Sequence, residues 1–134
     1  QENRLLRANH KFVSLGDNVS GEPAFIVEID EDLLWSNLPL FFEEHGFTIK
    51  DLNESTKIYY VDYVKPETSF WDSIWGESVT AVDLPNGKYQ FQVEKMAAKS
   101  VVTLFDSEGN ALPEATLEKI FDVMEAGLSF KQTF

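Results

Sequence analysis

Two histidines, 23 carboxylates, 11 Lys or Arg residues and no cysteine are the raw material for any chemistry in this 134-residue chain. The missing cysteine removes thiolate nucleophiles, disulfides and sulfur-ligated zinc together. His10 falls in a turn-rich N-terminal stretch, and His45 falls at the end of an expected helix, where a positive ring complements the helix dipole. No Gly-x-Ser-x-Gly elbow, phosphate-binding glycine loop or His-x-x-x-His pair is present. Asp30, Glu31 and Asp32 form an acidic triplet without further oxygen ligands in register. They therefore read as the start of a helix rather than a metal site. "DSEGN" (106–110) lacks the alternating acids of a calcium loop and reads as a turn on Gly109. Lys95 and Lys99 read as edge-strand charges. Abundant carboxylates alone do not define a glycosidase-like pair; that needs a cleft holding two of them with raised pKa values. The residues thus expect no catalytic, cofactor-binding or metal-ligating set, and no enzyme.

One cluster is left. In "TSFWDSIWGES" (68–78), Phe70, Trp71, Ile74 and Trp75 crowd into six residues of an otherwise polar connection. Ser69 followed by Asp72 resembles a capping box and Gly76 a left-handed stop, so a short helix is expected. Phe70 and Ile74 would share one row, with Trp71 and Trp75 on the next. Each large aromatic buries roughly 150–250 Å² at about 25 cal/mol per Å², so exposing three of them would forfeit on the order of 10 kcal/mol. One row is therefore expected to face the core. The other is the candidate protein-interaction site, and the alternative is a lid that is wholly structural.

The elements that must hold such a site follow from patterning. A hydrophobic content of 43% with 13% aromatics supports one folded domain with a real core. The net charge of −12 opposes nucleic-acid binding and adhesion to anionic lipid. No apolar stretch approaches 18 residues, so membrane insertion by this segment is not expected. The chain opens with Gln1, Glu2 and Asn3 and has no initiator Met, and is expected to be a processed or trimmed form.

Residues 1–22 end in turn chemistry and read as a linker or arm, 23–130 as the domain, and 131–134 as a tail. "AFIVEID" (24–30) reads as a strand. Leu34, Leu38, Phe41 and Phe42 give a helix over 33–45 that stops at Gly46 and kinks near Pro39. Strands follow at 47–52 and 57–64 around "NEST", with a weak segment at 79–84. A hairpin comes next, in which Tyr89, Phe91 and Val93 alternate with polar neighbours and "SVVTLFD" (100–106) is the partner. Pro113 and Glu114 open a last helix with the stripe Leu117, Ile120, Phe121, Met124 and Leu128. Strands in series with helices at either end give an α+β domain, an antiparallel sheet with helices packed on one face.

"NGKYQFQVEKMAAKSVVTLFDSEGNALPEATLEKIFDVMEAGL", together with "AFIVEIDEDLLWSNLPLFFEEHGFTIKDLNESTKIYYVDYVK", resembles the C-terminal domain of the BamC (NlpB) lipoproteins of the outer-membrane β-barrel assembly machinery. The resemblance runs from Ala24 to about Leu128. It rests on the order of elements and on the "GKYQFQV…SVVTLFDSEGNAL" hairpin. It implies a helix-grip fold with a long helix held against a curved sheet. It also implies a non-enzymatic accessory role in assembling outer-membrane barrels through protein–protein interaction, in a Gram-negative envelope. The domain would be soluble, on the periplasmic or cell-surface side, and lipid-anchored within its longer parent. The family's lipidated N-terminal Cys and the extended segment that lies along a BamD-type lipoprotein have no counterpart here, so no anchor or partner contact is carried onto any residue. Helix-grip folds can also enclose an apolar cavity, so binding of a lipid or other small apolar ligand is the alternative expectation. An interior filled by Phe91, Val93, Val102 and Leu104 against Phe41, Phe121 and Met124 would leave no room for it.

Overall fold

A computed structural model describes residues 12–65 and 82–129. Strands β1 (Val13–Asp17), β2 (Pro23–Val27), β3 (Phe47–Asn53), β4 (Ile58–Tyr63), β5 (Gly87–Met96) and β6 (Lys99–Phe105) form one sheet in the order β1-β2-β6-β5-β4-β3. Every neighbouring pair is antiparallel. Helix α1 (Glu31–Glu44) lies between β2 and β3 in the chain, and α2 (Glu114–Lys119) and α3 (Phe121–Leu128) follow β6. All three pack on one face of the sheet, the expected α+β arrangement.

The period-2 side-chain alternation of strands makes that face legible from register. Tyr59 opposes Phe91, Val61 opposes Tyr89, Val93 opposes Val102, and Phe25 opposes Val102 from the other side. These residues are buried, with Leu34, Leu38, Phe41, Phe42, Leu117, Ile120, Met124 and Leu128 closing over them. Phe91 stands edge-on to Phe42 and Phe47 at centroid distances of 4.9 and 5.3 Å, a favoured aromatic geometry. The interior named above as the test for a ligand cavity is filled: Phe91, Val93, Val102, Leu104, Phe41 and Met124 are all buried and Phe121 partly so. The opposite face is mostly polar, apart from a small cluster of Ala24, Ile26 and Val101 with Met96. There the buried Asn18 donates from Nδ2 to Thr103 Oγ1 at 3.0 Å, tying the β1–β2 turn to the sheet.

Two expectations need correction. Val13–Asp17 belongs to the sheet, although residues 1–22 were expected as a linker or arm. Its Gly16 lies so close to Ile26 that a Cβ would sit 2.9 Å from Ile26 Cγ1, so the glycine serves strand packing rather than a turn. The last helix is not one long element but two, divided at Ile120 with φ −103° and ψ 7°. The expected stripe continues across the break: Leu117, Ile120, Met124 and Leu128 are buried, joined by Val123, while Phe121 is half-buried beside Phe25. Of the weak segment at 79–84, only Val82 onward is described, and it forms no strand. Its buried Val82 carbonyl accepts the Tyr63 hydroxyl at 2.6 Å.

Candidate functional site

Helix α1 presents two different faces. Asp30 caps it, its side chain accepting from the N–H groups of Asp32 and Leu33. Leu34, Trp35, Leu38, Phe41 and Phe42 point into the core. Pro39 lies within the helix and, lacking an N–H, cannot donate to the carbonyl of Trp35 four residues earlier. The Tyr59 hydroxyl donates to that carbonyl at 2.8 Å while its ring stacks on Trp35 at 4.0 Å. A strand residue thus supplies the hydrogen bond that the proline removes. The helix ends at His45 and turns on Gly46 at φ 87°.

The other face carries the row Leu33, Asn37, Leu40, Glu44, spaced by four, three and four residues. Leu33 is 48% and Leu40 54% exposed, among the few large apolar side chains the fold leaves in water. Between this row and α3 runs a groove of about 520 Å³, lined among the described residues by Asn37, Leu40, Phe41, Glu44, His45, Ala126 and Gly127. Gly127 permits the close approach of the two helices, since a Cβ there would lie 2.5 Å from Phe41 Cδ1.

The groove is chemically one-sided. Asn37 Nδ2 donates to Leu33 O at 2.8 Å, and His45 Nδ1 lies 3.0 Å from Phe41 O. A carbonyl only accepts, so Nδ1 carries the hydrogen of this contact. Neither α1 nor α3 contains a Lys or Arg, whereas they carry Glu31, Asp32, Glu43, Glu44, Asp122 and Glu125. The groove also lies at the C-terminal turns of both helices, each equivalent to about half a negative charge. Such a site can hold an apolar group beside a cation.

A second, smaller depression of about 210 Å³ lies on the opposite face, among Lys50, Tyr60, Asp62, Lys88, Gln90 and Ser107. Two of its charges pair, Lys88 Nζ lying 3.2 Å from Asp62 Oδ1. Burial, with Glu22 as the smaller cause, holds the Glu94 carboxyl above its ordinary value, and Glu94 Oε1 is buried without a hydrogen-bond partner. Among the described residues no three His, Asp or Glu side chains gather as metal ligands do, and no helix is long and apolar enough to cross a membrane.

The sequence-read interaction cluster Phe70, Trp71, Ile74 and Trp75 lies in 66–81, outside the described residues, as does His10. Asp30 acts as the expected cap. Asp106 folds the 106–110 turn by accepting from Glu108 and Asn110 N–H groups, with Gly109 at φ 83°. His45 stands at the end of α1, where its Nδ1 lies 3.0 Å from Phe41 O. The α1–α3 groove was not read from sequence. Its one local signal was the pair Leu33 and Leu40, seven residues apart and off the core stripe.

A family model described as the outer membrane protein assembly factor BamC-like C-terminal domain matches residues 13–128. The chain is 35% identical over 130 residues to the outer membrane protein assembly factor BamC of Kangiella koreensis, covering 96% of this chain and 36% of that protein. Identity to the protein of the same name from Ferrimonas balearica is 32% over 118 residues, covering 88% and 32% respectively. For that of Vibrio cholerae it is 29% over 114 residues, covering 85% and 33%. The chain spans about a third of the length of these curated relatives.

Proposed function

The chain belongs to the BamC-like C-terminal domain family, and on that premise we propose that it is a non-catalytic accessory domain acting in the assembly of outer-membrane β-barrel proteins by protein–protein interaction. The observation that carries this reading is the span of the family match, which runs from the first residue of β1 to the last of α3. The relatives are named as outer-membrane protein assembly factors, and this domain is a third of them. Its contribution is a docking surface on a rigid sheet-and-helix scaffold, with partners among the other subunits of the assembly machinery. The filled interior favours an external contact over an enclosed apolar ligand.

On the same reading Phe70, Trp71, Ile74 and Trp75 are the candidate contact for a partner, with one of the two rows, Phe70 with Ile74 or Trp71 with Trp75, facing it. Crosslinking from position 71 or 75 of the full-length protein in its own envelope tests this. Capture of an assembly-machinery subunit is the expected result. If Trp71→Ala and Trp75→Ala lower stability while every partner contact stays intact, the row is a lid. For the role itself, full-length protein lacking residues 13–128 is expected to restore outer-membrane barrel protein levels less well than the intact protein in cells deprived of their own BamC. Equal restoration would remove the proposed function from this domain.

A further inference from the structure

We infer that the α1–α3 groove docks a partner segment that places an apolar side chain on Leu40 and Phe41 and an Arg or Lys beside Glu44 and His45. This rests on the interaction reading above and deepens it by naming the chemistry of the occupant. Leu40 supplies an exposed apolar rim, Phe41 and Ala126 line the groove with it, and Gly127 sets the helix spacing. Asn37 and His45 each commit a donor to a helix carbonyl, leaving Asn37 Oδ1 and the Glu44 carboxylate as acceptors. Two helix C-termini add negative potential, and the two helices bring no Lys or Arg to offset it. An acidic or purely apolar segment would leave those acceptors desolvated without donors. A cationic donor next to an apolar anchor satisfies both parts of the groove. A guanidinium suits it best, since its planar donors can reach several acceptors at once.

The test uses the 134-residue chain and three short fluorescent peptides: one of Leu, Ala and Arg in an amphipathic pattern, one with each Arg changed to Glu, and one with each Leu changed to Ser. The Leu/Arg peptide is expected to bind, and the other two to bind at least about tenfold more weakly. Leu40→Asp and Glu44→Lys are each expected to weaken the Leu/Arg peptide by about tenfold. Glu108→Lys, which makes the same charge change outside the groove, is expected to leave it unchanged. Leu40→Ser serves if Leu40→Asp fails to fold by circular dichroism. Equal losses for Glu108→Lys and Glu44→Lys would mean that only the net charge attracts the peptide, and would overturn the assignment. So would equal binding of the Ser/Arg peptide, no binding by the Leu/Arg peptide, or a groove occupied by a second copy of the chain in light scattering. None of these results touches the barrel-assembly role, which the domain deletion tests separately.

Discussion

The pairing of Pro39 with Tyr59 makes a quantitative prediction about how α1 tolerates a proline. The Trp35 carbonyl has lost its helical donor and is held by the buried Tyr59 hydroxyl at 2.8 Å. Burial, with the Glu54 charge as a lesser cause, pushes the Tyr59 pKa up, so the donor stays protonated throughout the accessible range. Tyr59→Phe removes the hydroxyl alone: the ring can keep its stack on Trp35 at 4.0 Å and its edge contact with Phe42 at 5.2 Å. The loss leaves a buried carbonyl unpaired, which costs about 1–3 kcal/mol. In a domain of this size that lowers Tm by roughly 3–5 °C per kcal/mol. Pro39→Ala restores an N–H that can donate to the same carbonyl, so in that background Tyr59→Phe should cost only about 0.5 kcal/mol. Urea unfolding of the four proteins at constant m-value gives the cycle. A coupling of about 1–2 kcal/mol is expected. If Tyr59→Phe costs the same in both backgrounds, the hydroxyl does not substitute for the missing helix donor.

Three further outcomes follow from the same geometry. Gly127→Ala should lower stability by about 1–2 kcal/mol despite alanine's better helix propensity, because its Cβ would meet the buried Phe41 ring at 2.5 Å; a gain in Tm would contradict that helix spacing. Asp30→Ala should cost about 1 kcal/mol in chemical denaturation by freeing the Asp32 and Leu33 N–H groups, and Asp30→Asn should recover most of it. Glu94 has a raised folded-state pKa, so the folded chain holds its proton more tightly and stability falls as pH rises above the ordinary value of 4.5. Glu94→Gln should therefore raise Tm at neutral pH and lose that gain near about pH 4; an equal gain at both would show that ionisation is not the cause.

Local patterning explains which parts of the molecule were legible in advance. The β5–β6 hairpin announces itself because one face alternates strictly and a short turn fixes the register that sets Val93 against Val102. Helix α1 is legible because Asp30 and Gly46 mark its ends and its core stripe is periodic. Strand β1 is not, since an edge strand with only Val13 fully buried has a weak pattern, and its Gly16-Asp17-Asn18 composition mimics a loop. The break at Ile120 carries no Gly or Pro. Leu117, Ile120, Met124 and Leu128 are buried at continuous helical spacing across it, so the apolar pattern gives no sign of it. The groove was hidden for a different reason. Leu40 and Glu44 belong to one helix and Gly127 to another more than eighty positions away, and only the packing of α1 on α3 brings them together.

On the function proposed above, this domain joins barrel assembly through contact with other proteins. Co-purification of the assembly machinery from outer membranes tests it most directly, comparing the intact lipoprotein with a form lacking residues 13–128 and a form carrying Leu40→Asp with Glu44→Lys. Reduced recovery of one and the same subunit with both altered forms, at equal abundance of the lipoprotein, is the predicted result. Unchanged recovery of every subunit with both would contradict it.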